Sequence, residues 1–325
     1  MIVIVGFGIM AAVFAYFIVR MQWHNKALTY LNDGQVDEGI AQLSHVIKYY
    51  PQDAIARFHR ANAYKQKGDM EKALADYDDA VARGGRMSGV LYGARAYFLM
   101  YLGRYEDALK DYQLALKADP TQPQTQLGIA YAYLFMKNYE KALATAQLAT
   151  DDLERQIATN KKYSAHILAN SPVQSAQLES TYISVYAAKA LALVHLGRGE
   201  EAQAIYATLA EKYPNSMVLY TDRAEVNFLL GDYPSAIADY EKAMTLAEDT
   251  LFIPTSGAYD LTYLAQAGYA VSLFASGDAE KAQAQWQDLS KKKPELANVD
   301  LLSKEFFWSE PMVAQAEKMV MGLYA

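Results

Sequence analysis

Gly6 and Gly8, in "GFGIMA", have the spacing of a dinucleotide-binding turn. Asp33 stands at about the distance of an acid that would hold a ribose hydroxyl. That chemistry needs a strand before the turn, a crossover helix with a polar outer face and a second parallel strand after it. The run from Met1 to Val19 has no charged residue, and its one polar side chain is Tyr16. As a helix it would be apolar all round and roughly 28 Å long at ~1.5 Å per residue, close to the ~30 Å of a bilayer core. The stretch "RMQWHNKALTYLND" that follows does not read as a second strand. The membrane reading therefore outweighs the nucleotide reading.

Other chemistry is equally hard to assemble from residue spacing. His24, His45, His59, His166 and His195 show neither the four-residue interval nor the acid flanks of a metal site. There is no Walker lysine loop and no nucleophile-elbow glycine pattern. Asp78–Asp79 and Asp151–Asp152 read as solvated helix positions rather than as paired catalytic carboxylates. The absence of cysteine removes disulfides, thiolate zinc sites and cysteine nucleophiles. A net charge of −7, with basic runs no longer than Lys291–Lys293, argues against a nonspecific nucleic-acid surface. The sequence thus predicts no catalytic residue, no metal and no cofactor.

The elements come next. A cleaved signal peptide would have a basic n-region and a small-x-small site; here nothing charged precedes the apolar run and it ends in "YFIVR". An uncleaved transmembrane helix over residues 1–19 is the expectation. Arg20 and Lys26 follow the span, so the positive-inside rule predicts a single-pass protein with a cytoplasmic C-terminal domain. Phe14, Tyr16, Phe17 and Trp23 suit an interfacial aromatic belt. Gly8 and Ala12, four apart, either let a second helix approach closely or are small by chance.

Beyond the anchor the chain repeats every 34 or 35 residues where nothing is inserted. "KQKGDMEKALADYDDAV", "MYLGRYEDALKDYQLAL", "LFMKNYEKALATAQLAT" and "FLLGDYPSAIADYEKAM" are copies of one block. Aligned on it, units start near Arg20, Ala54, Gly89, Pro123, Ile183, Met217 and Tyr263. The eighth residue of each unit is Ala27, Ala61, Ala96, Ala130, Ala190, Ala224 or Ala270. The twentieth is Gly39, Ala73, Ala108, Ala142, Ala202, Ala236 or Ala282. A glycine punctuates the first helix at Gly34, Gly68, Gly103, Gly197, Gly231 and Gly277, with Lys137 breaking the rule in the fourth unit. Half of the 26 tyrosines fall on recurring slots of this register, among them Tyr77, Tyr112, Tyr206 and Tyr240, and read as core.

These marks resemble the tetratricopeptide repeat family over about Arg20 to Leu296. The resemblance implies an all-α fold: a right-handed α-solenoid of about seven helical hairpins plus a C-terminal capping helix, preceded by the transmembrane helix. The organisation expected is an anchor at 1–19, units one to four at 20–149, and an insertion extending a helical hairpin at 150–182. Units five to seven follow at 183–296 and a cap at 297–325. Within the insertion, "DDLERQIA" would continue one helix and Ser171–Pro172 would start the next, joined by a loop near Lys161 to Asn170. That hairpin reads as a plain extension or as a partner-binding finger. A second insert, "EDTLFIPTSGAYD", reads as a loop. In the cap, Met312, Val313, Ala316, Met319, Val320 and Leu323 share one face, and Phe306, Phe307 and Trp308 either anchor it or offer an aromatic patch.

Three units carry Arg at their seventh residue and Asp sixteen later: Arg60 with Asp76, Arg95 with Asp111, Arg223 with Asp239. If the helices pack as in the family, each pair meets inside one hairpin as a bidentate structural contact. The family's first helices line a concave groove for a peptide or a partner helix. By register its lining here is Phe58, Asn62, Lys65, Tyr97, Tyr101, Leu127, Tyr131, Phe135, His195, Glu225, Phe228 and Phe274. Only Asn62 and Lys65 resemble the family's carboxylate-clamping set, so the partner implied is an apolar or amphipathic helix or peptide. The function expected is a membrane-anchored scaffold or adaptor without catalysis. The alternatives are an accessory or assembly subunit of a larger membrane complex and, as a third reading, an enzyme or sensor with a polar pocket.

Overall fold

A computed structural model describes residues 2–120, 122–159, 172–249, 261–294, 298–306 and 308–323; the side chains of 1–13, 15, 171–177, 248–249, 300, 303, 305–306 and 323 are also left out. Among the described residues every element is a helix and no strand occurs. Short turns join them in succession: α1 (Ile2–Asn32) to α2 (Val36–Tyr49), α3 (Ala54–Gln66) to α4 (Met70–Arg83), and α5 (Ser88–Tyr101) to α6 (Tyr105–Ala118). Then come α7 (Pro123–Phe135) with α8 (Tyr139–Thr159), α9 (Pro172–His195) with α10 (Gly199–Lys212), and α11 (Met217–Leu229) with α12 (Tyr233–Asp249). The last pairs are α13 (Leu261–Ala275) with α14 (Ala279–Lys292), and the shorter α15 (Val299–Phe306) with α16 (Glu310–Leu323).

Two sequence features make these hairpins. The alanines at the eighth and twentieth positions of each unit, Ala27 to Ala270 and Ala73 to Ala282, are all without solvent exposure, and Gly39 is buried in the same slot. A larger side chain there would hold the two helices apart, and overpacking of this kind typically costs about 1–3 kcal/mol. The turn is the second feature. Its residue has a left-handed backbone, with φ from +72° to +98° at Gly34, Gly68, Gly103, Gly197, Gly231 and Gly277. The turn's bonds are those of a Schellman cap: Gly68 N–H donates to Lys65 O and Asp69 N–H to Tyr64 O. Lys137 makes the same pair, its N–H to Leu134 O and Asn138 N–H to Tyr133 O, at φ +55°. The motif survives there without the glycine, in a region costly for a residue with a Cβ.

By internal contacts the chain divides into two compact units, residues 1–98 with 110–120, and residues 99–109 with 121–325. In the first, α1 runs unbroken past the expected end of the anchor, so Gly6 and Gly8 lie within a helix and no strand-to-helix turn exists at them. Trp23 packs on His45 at 4.4 Å and on Tyr50 at 5.9 Å. Arg20, one of the two cations that set the expected orientation, donates through Nε to Asp53 at 2.6 Å. Asp53 also caps α3 by accepting from Ala56 N–H at 3.0 Å. The expected membrane span gains no support from the structure: among the described residues no helix is long and apolar enough to cross a membrane. The side chains of residues 1–13, most of that span, lie outside the described residues.

In the second unit α8 and α9 are the long helices, 21 and 24 residues against 13 to 17 for α10 to α14. α8 includes "DDLERQIA" and α9 starts at Pro172, while the expected loop at 161–170 lies outside the described residues, as do residues 250–260 and Phe307. The core of this unit is densest around Tyr240, Trp286 and the C-terminal helix. Met312, Ala316 and Met319 of α16 are fully buried, Val313 and Val320 are partly so, and Trp308 is 3% exposed. Tyr240 lies against α13 so tightly that a Cβ on Gly268 would come within 2.2 Å of its ring.

Candidate partner-binding groove

The three Arg–Asp pairs each sit inside one hairpin and hold its two helices in register. Arg60 Nε and Nη2 donate to Asp76 at 2.6 and 2.8 Å, and Arg95 does the same to Asp111 at 2.6 and 2.8 Å. Arg223 Nε donates to Asp239 at 2.8 Å, with Asn227 Nδ2 adding a third donor at 3.0 Å. The hydrogen bonds that each guanidinium donates to a buried carboxylate raise its pKa, against the opposing effect of burial. These pairs face each other across a hairpin, which leaves the remaining face of each first helix for other contacts.

On the first unit, α3 places Phe58, Asn62 and Lys65 along one stripe, the i, i+4, i+7 spacing of a helix face. Tyr97, on α5, is 41% exposed, and the Lys65 ammonium lies 5.4 Å above its ring. Asn62 is tied, its Oδ1 accepting from the Tyr77 hydroxyl. Phe58 turns inward onto the cluster of Ala54, Ala80 and Leu91. Lys65 and Tyr97 are thus brought together, whereas Phe58 packs partly buried against that cluster. Tyr101, at the end of α5, falls in the second unit and is half-buried.

On the second unit, α7, α9 and α11 open onto a cavity of about 520 Å³, within the usual range for ligand pockets. Four of the residues picked by register line it together: Tyr131, Phe135, His195 and Glu225. Two stacked ring pairs stand in its wall, Tyr105 on Phe135 at 5.3 Å and 13°, and Tyr139 on His195 at 4.5 Å and 8°. Leu127 and Phe274 pack partly buried against neighbouring core clusters instead. Phe228, expected on the groove, is 4% exposed with its ring 5.3 Å from Tyr233, and belongs to the core.

The far wall has no counterpart in the repeat register. Trp308, Ser309, Glu310, Pro311 and Val313 complete the cavity. Ser309 N–H donates to Glu225 Oε1 at 3.0 Å, and Lys137 Nζ meets Glu310 Oε2 at 2.6 Å on the rim. Sequence reasoning assigned Trp308 and Val313 to the cap and passed over the other three. The one signal available was a tryptophan followed closely by a proline, just past the last repeat.

Burial governs the electrostatics here. It pushes the Glu225 carboxyl above its ordinary range, with the Ser309 N–H pulling the other way. Asp222, one turn earlier on α11, is pushed up to about 8, first by burial and then by the charge of Glu225. The Tyr131, Tyr206 and Tyr240 hydroxyls are likewise driven well above their usual values by burial. His195 is lowered by burial and by Lys137. Among the described residues no three His, Cys, Asp or Glu side chains are grouped to hold a metal ion. The arrangement is suited to embracing an apolar body and meeting one polar group at Glu225.

Models of the tetratricopeptide repeat match residues 24–87, 99–158 and 187–249, together more than half of the chain. The chain belongs to the tetratricopeptide repeat family. Such repeats are generally protein-interaction scaffolds rather than catalysts. Among solved structures it resembles a tetratricopeptide repeat protein from Parabacteroides merdae, 17% identical, over 93% of this chain and 98% of that one, with a TM-score of 0.60. A tetratricopeptide protein of Thermus thermophilus is 21% identical over 71% of this chain and 99% of its own, at a TM-score of 0.47. The APC/C hetero-tetramer Cut9–Hcn1 matches at 15% identity over 78% of this chain and 42% of that chain, at 0.50. At these identities the likeness is one of fold.

Proposed function

We propose that this tetratricopeptide repeat protein is a membrane-anchored scaffold that takes an apolar or amphipathic helix or peptide of a partner protein into its groove. The observation that carries the reading is the aromatic cavity of the second unit, where Tyr131, Phe135, His195 and Glu225 converge from three first helices. A recess walled largely by aromatic and aliphatic side chains suits recognition by side-chain anchors. The anchor rests on the uncharged stretch from Met1 to Val19 and on α1, which continues it into the first repeat. Arg20 and Lys26 after the span favour a cytoplasmic repeat domain. Holding scaffold and partner in one membrane raises their effective concentration, so a shallow groove suffices.

The test is crosslinking in native membranes, comparing the natural chain with Tyr131→Ala/Phe135→Ala at matched helical content. The double variant is expected to lose the crosslinked partner; an unchanged crosslink pattern refutes the groove. A partner that co-purifies in fixed ratio through mild detergent would instead identify an accessory subunit. Topology is read with a single introduced thiol, Met321→Cys, at an exposed position in a chain without cysteine. It should resist an impermeant reagent in intact cells and react after permeabilisation.

A further inference from the structure

The cavity contains more than an apolar partner requires. Glu225 opens onto it, and Asp222 lies one turn behind on the same helix, where the charge of Glu225 disfavours that of Asp222. Neighbouring cations are already engaged: Arg223 with Asp239, and Lys137 with Glu310. A separate observation concerns a residue that does not line the cavity but feels the charge of these acids. The Tyr206 hydroxyl, on a residue 1% exposed, has no hydrogen-bond partner among the described residues and lies in the field of Asp222, Glu225 and Tyr131. A buried hydroxyl without a partner is costly, and native structures rarely leave one without a reason. Aromatic faces surround the acids, and such faces attract cations as well as apolar groups.

We propose that this pocket receives a cationic side chain, the ammonium or guanidinium of a lysine or arginine on the partner polypeptide, with Glu225 as its counter-ion. The inference rests on the groove reading and adds the chemistry of the anchor residue. The cation's stem lies along the Tyr105–Phe135 and Tyr139–His195 pairs, as long basic side chains bury their methylenes while the head finds a charge. Its charge favours the ionised form of both carboxyls, against the burial that opposes it. The segment carrying Trp308 and Ser309 is a fixed wall rather than a lid, because Trp308 and the following Met312 are buried with the core. It supplies the Ser309 N–H that keeps the Glu225 carboxylate aimed into the recess.

Ligand-observed NMR on the full chain in detergent tests this, with Nα-acetyl-arginine amide, Nα-acetyl-lysine amide and the neutral Nα-acetyl-norleucine amide as probes. The basic probes are expected to bind about tenfold or more tightly than norleucine. Glu225→Gln, whose amide oxygen can still accept from Ser309 N–H, should abolish that preference and leave norleucine binding unchanged. Glu225→Asp keeps the charge and should retain the preference, which guards against a variant that merely misfolds. Equal binding of all three probes, a preference that survives Glu225→Gln, or no binding by any probe overturns the inference. Failure of the groove itself is read separately, from the crosslink pattern of Tyr131→Ala/Phe135→Ala.

Discussion

Arg95 holds two carboxylates at once, so the worth of a buried and an exposed ion pair can be compared on one guanidinium. Nε and Nη2 reach Asp111 at 2.6 and 2.8 Å, while Nη1 reaches Asp78 at 2.7 Å. The Asp111 side chain is 6% exposed and the Asp78 side chain 56%, with Arg95 at 21%. Removing one partner of a fully buried pair costs about 3–5 kcal/mol because the other charge is stranded. Here a fifth of the arginine still sees water and Asp78 remains, so Asp111→Asn should cost about 2–3 kcal/mol. Asp78→Asn removes a solvated pair and should cost less than ~1 kcal/mol. The perturbation has to be made on the carboxylate. The hydrogen bonds donated to Asp111 raise the arginine's pKa, so that half of the pair is intact below the ordinary value of 12.5 and is lost only above it. Repeat arrays depart from all-or-none unfolding, which makes a single melting midpoint ambiguous. Native-state hydrogen exchange of the α5 and α6 amides reads the local opening instead. Asp111→Asn should accelerate it by about 30- to 150-fold, and Asp78→Asn by less than about fivefold. Equal effects of the two substitutions would refute the claim that burial sets the value of these pairs.

Two other perturbations follow from the same geometry. Lys137 occupies, at φ +55°, the turn position that glycine fills in six other hairpins, so Lys137→Gly should relieve backbone strain. The Lys137–Glu310 contact it removes is well exposed and offsets little; amide exchange in α7 and α8 should slow by about two- to fivefold, and faster exchange would contradict the strain. His59 is lowered to about 4, chiefly by burial and then by the charge of His24, whose ring lies 5.0 Å away. Its neutral form is the folded one, so this contribution is complete above the unfolded value of 6.5 and erodes as pH falls towards about 4. The loss should reach on the order of 2–3 kcal/mol in α3 and vanish in His59→Phe; a flat profile across that window would exclude it.

The repeat was legible because its constraints are local. An alanine at the eighth position and another at the twentieth need only the two helices of one hairpin, and all of these side chains are buried as that register requires. The Arg–Asp pairs were legible for the same reason, sixteen residues apart and repeated three times. Register states which face of a helix is concave, though not how deeply the next hairpin covers it. Phe228 was therefore placed on the groove and lies under Tyr233, and Asn62, which looked available, accepts from Tyr77. The wall of the cavity was illegible for a different reason. Ser309 N–H reaches Glu225 across 84 residues, from a segment beyond the last repeat where no periodicity carries over.

That long-range contact changes what the C-terminal helix is for. A cap is needed wherever a hairpin array would otherwise expose its last apolar face, and burying Met312, Ala316 and Met319 against the preceding hairpins meets that need. Full burial of a side chain such as methionine contributes about 1.5–3 kcal/mol, which is ample to fix the position of the turn leading into the helix. Trp308 and Ser309 lead into the first turn of α16, Glu310 and Pro311, and together these four residues line the recess with Glu225, Lys137 and Tyr139. The energetics that end the array therefore also build the fourth side of the recess. Substitutions on the buried face of α16 would reshape the cavity without touching any residue of the groove's own helices.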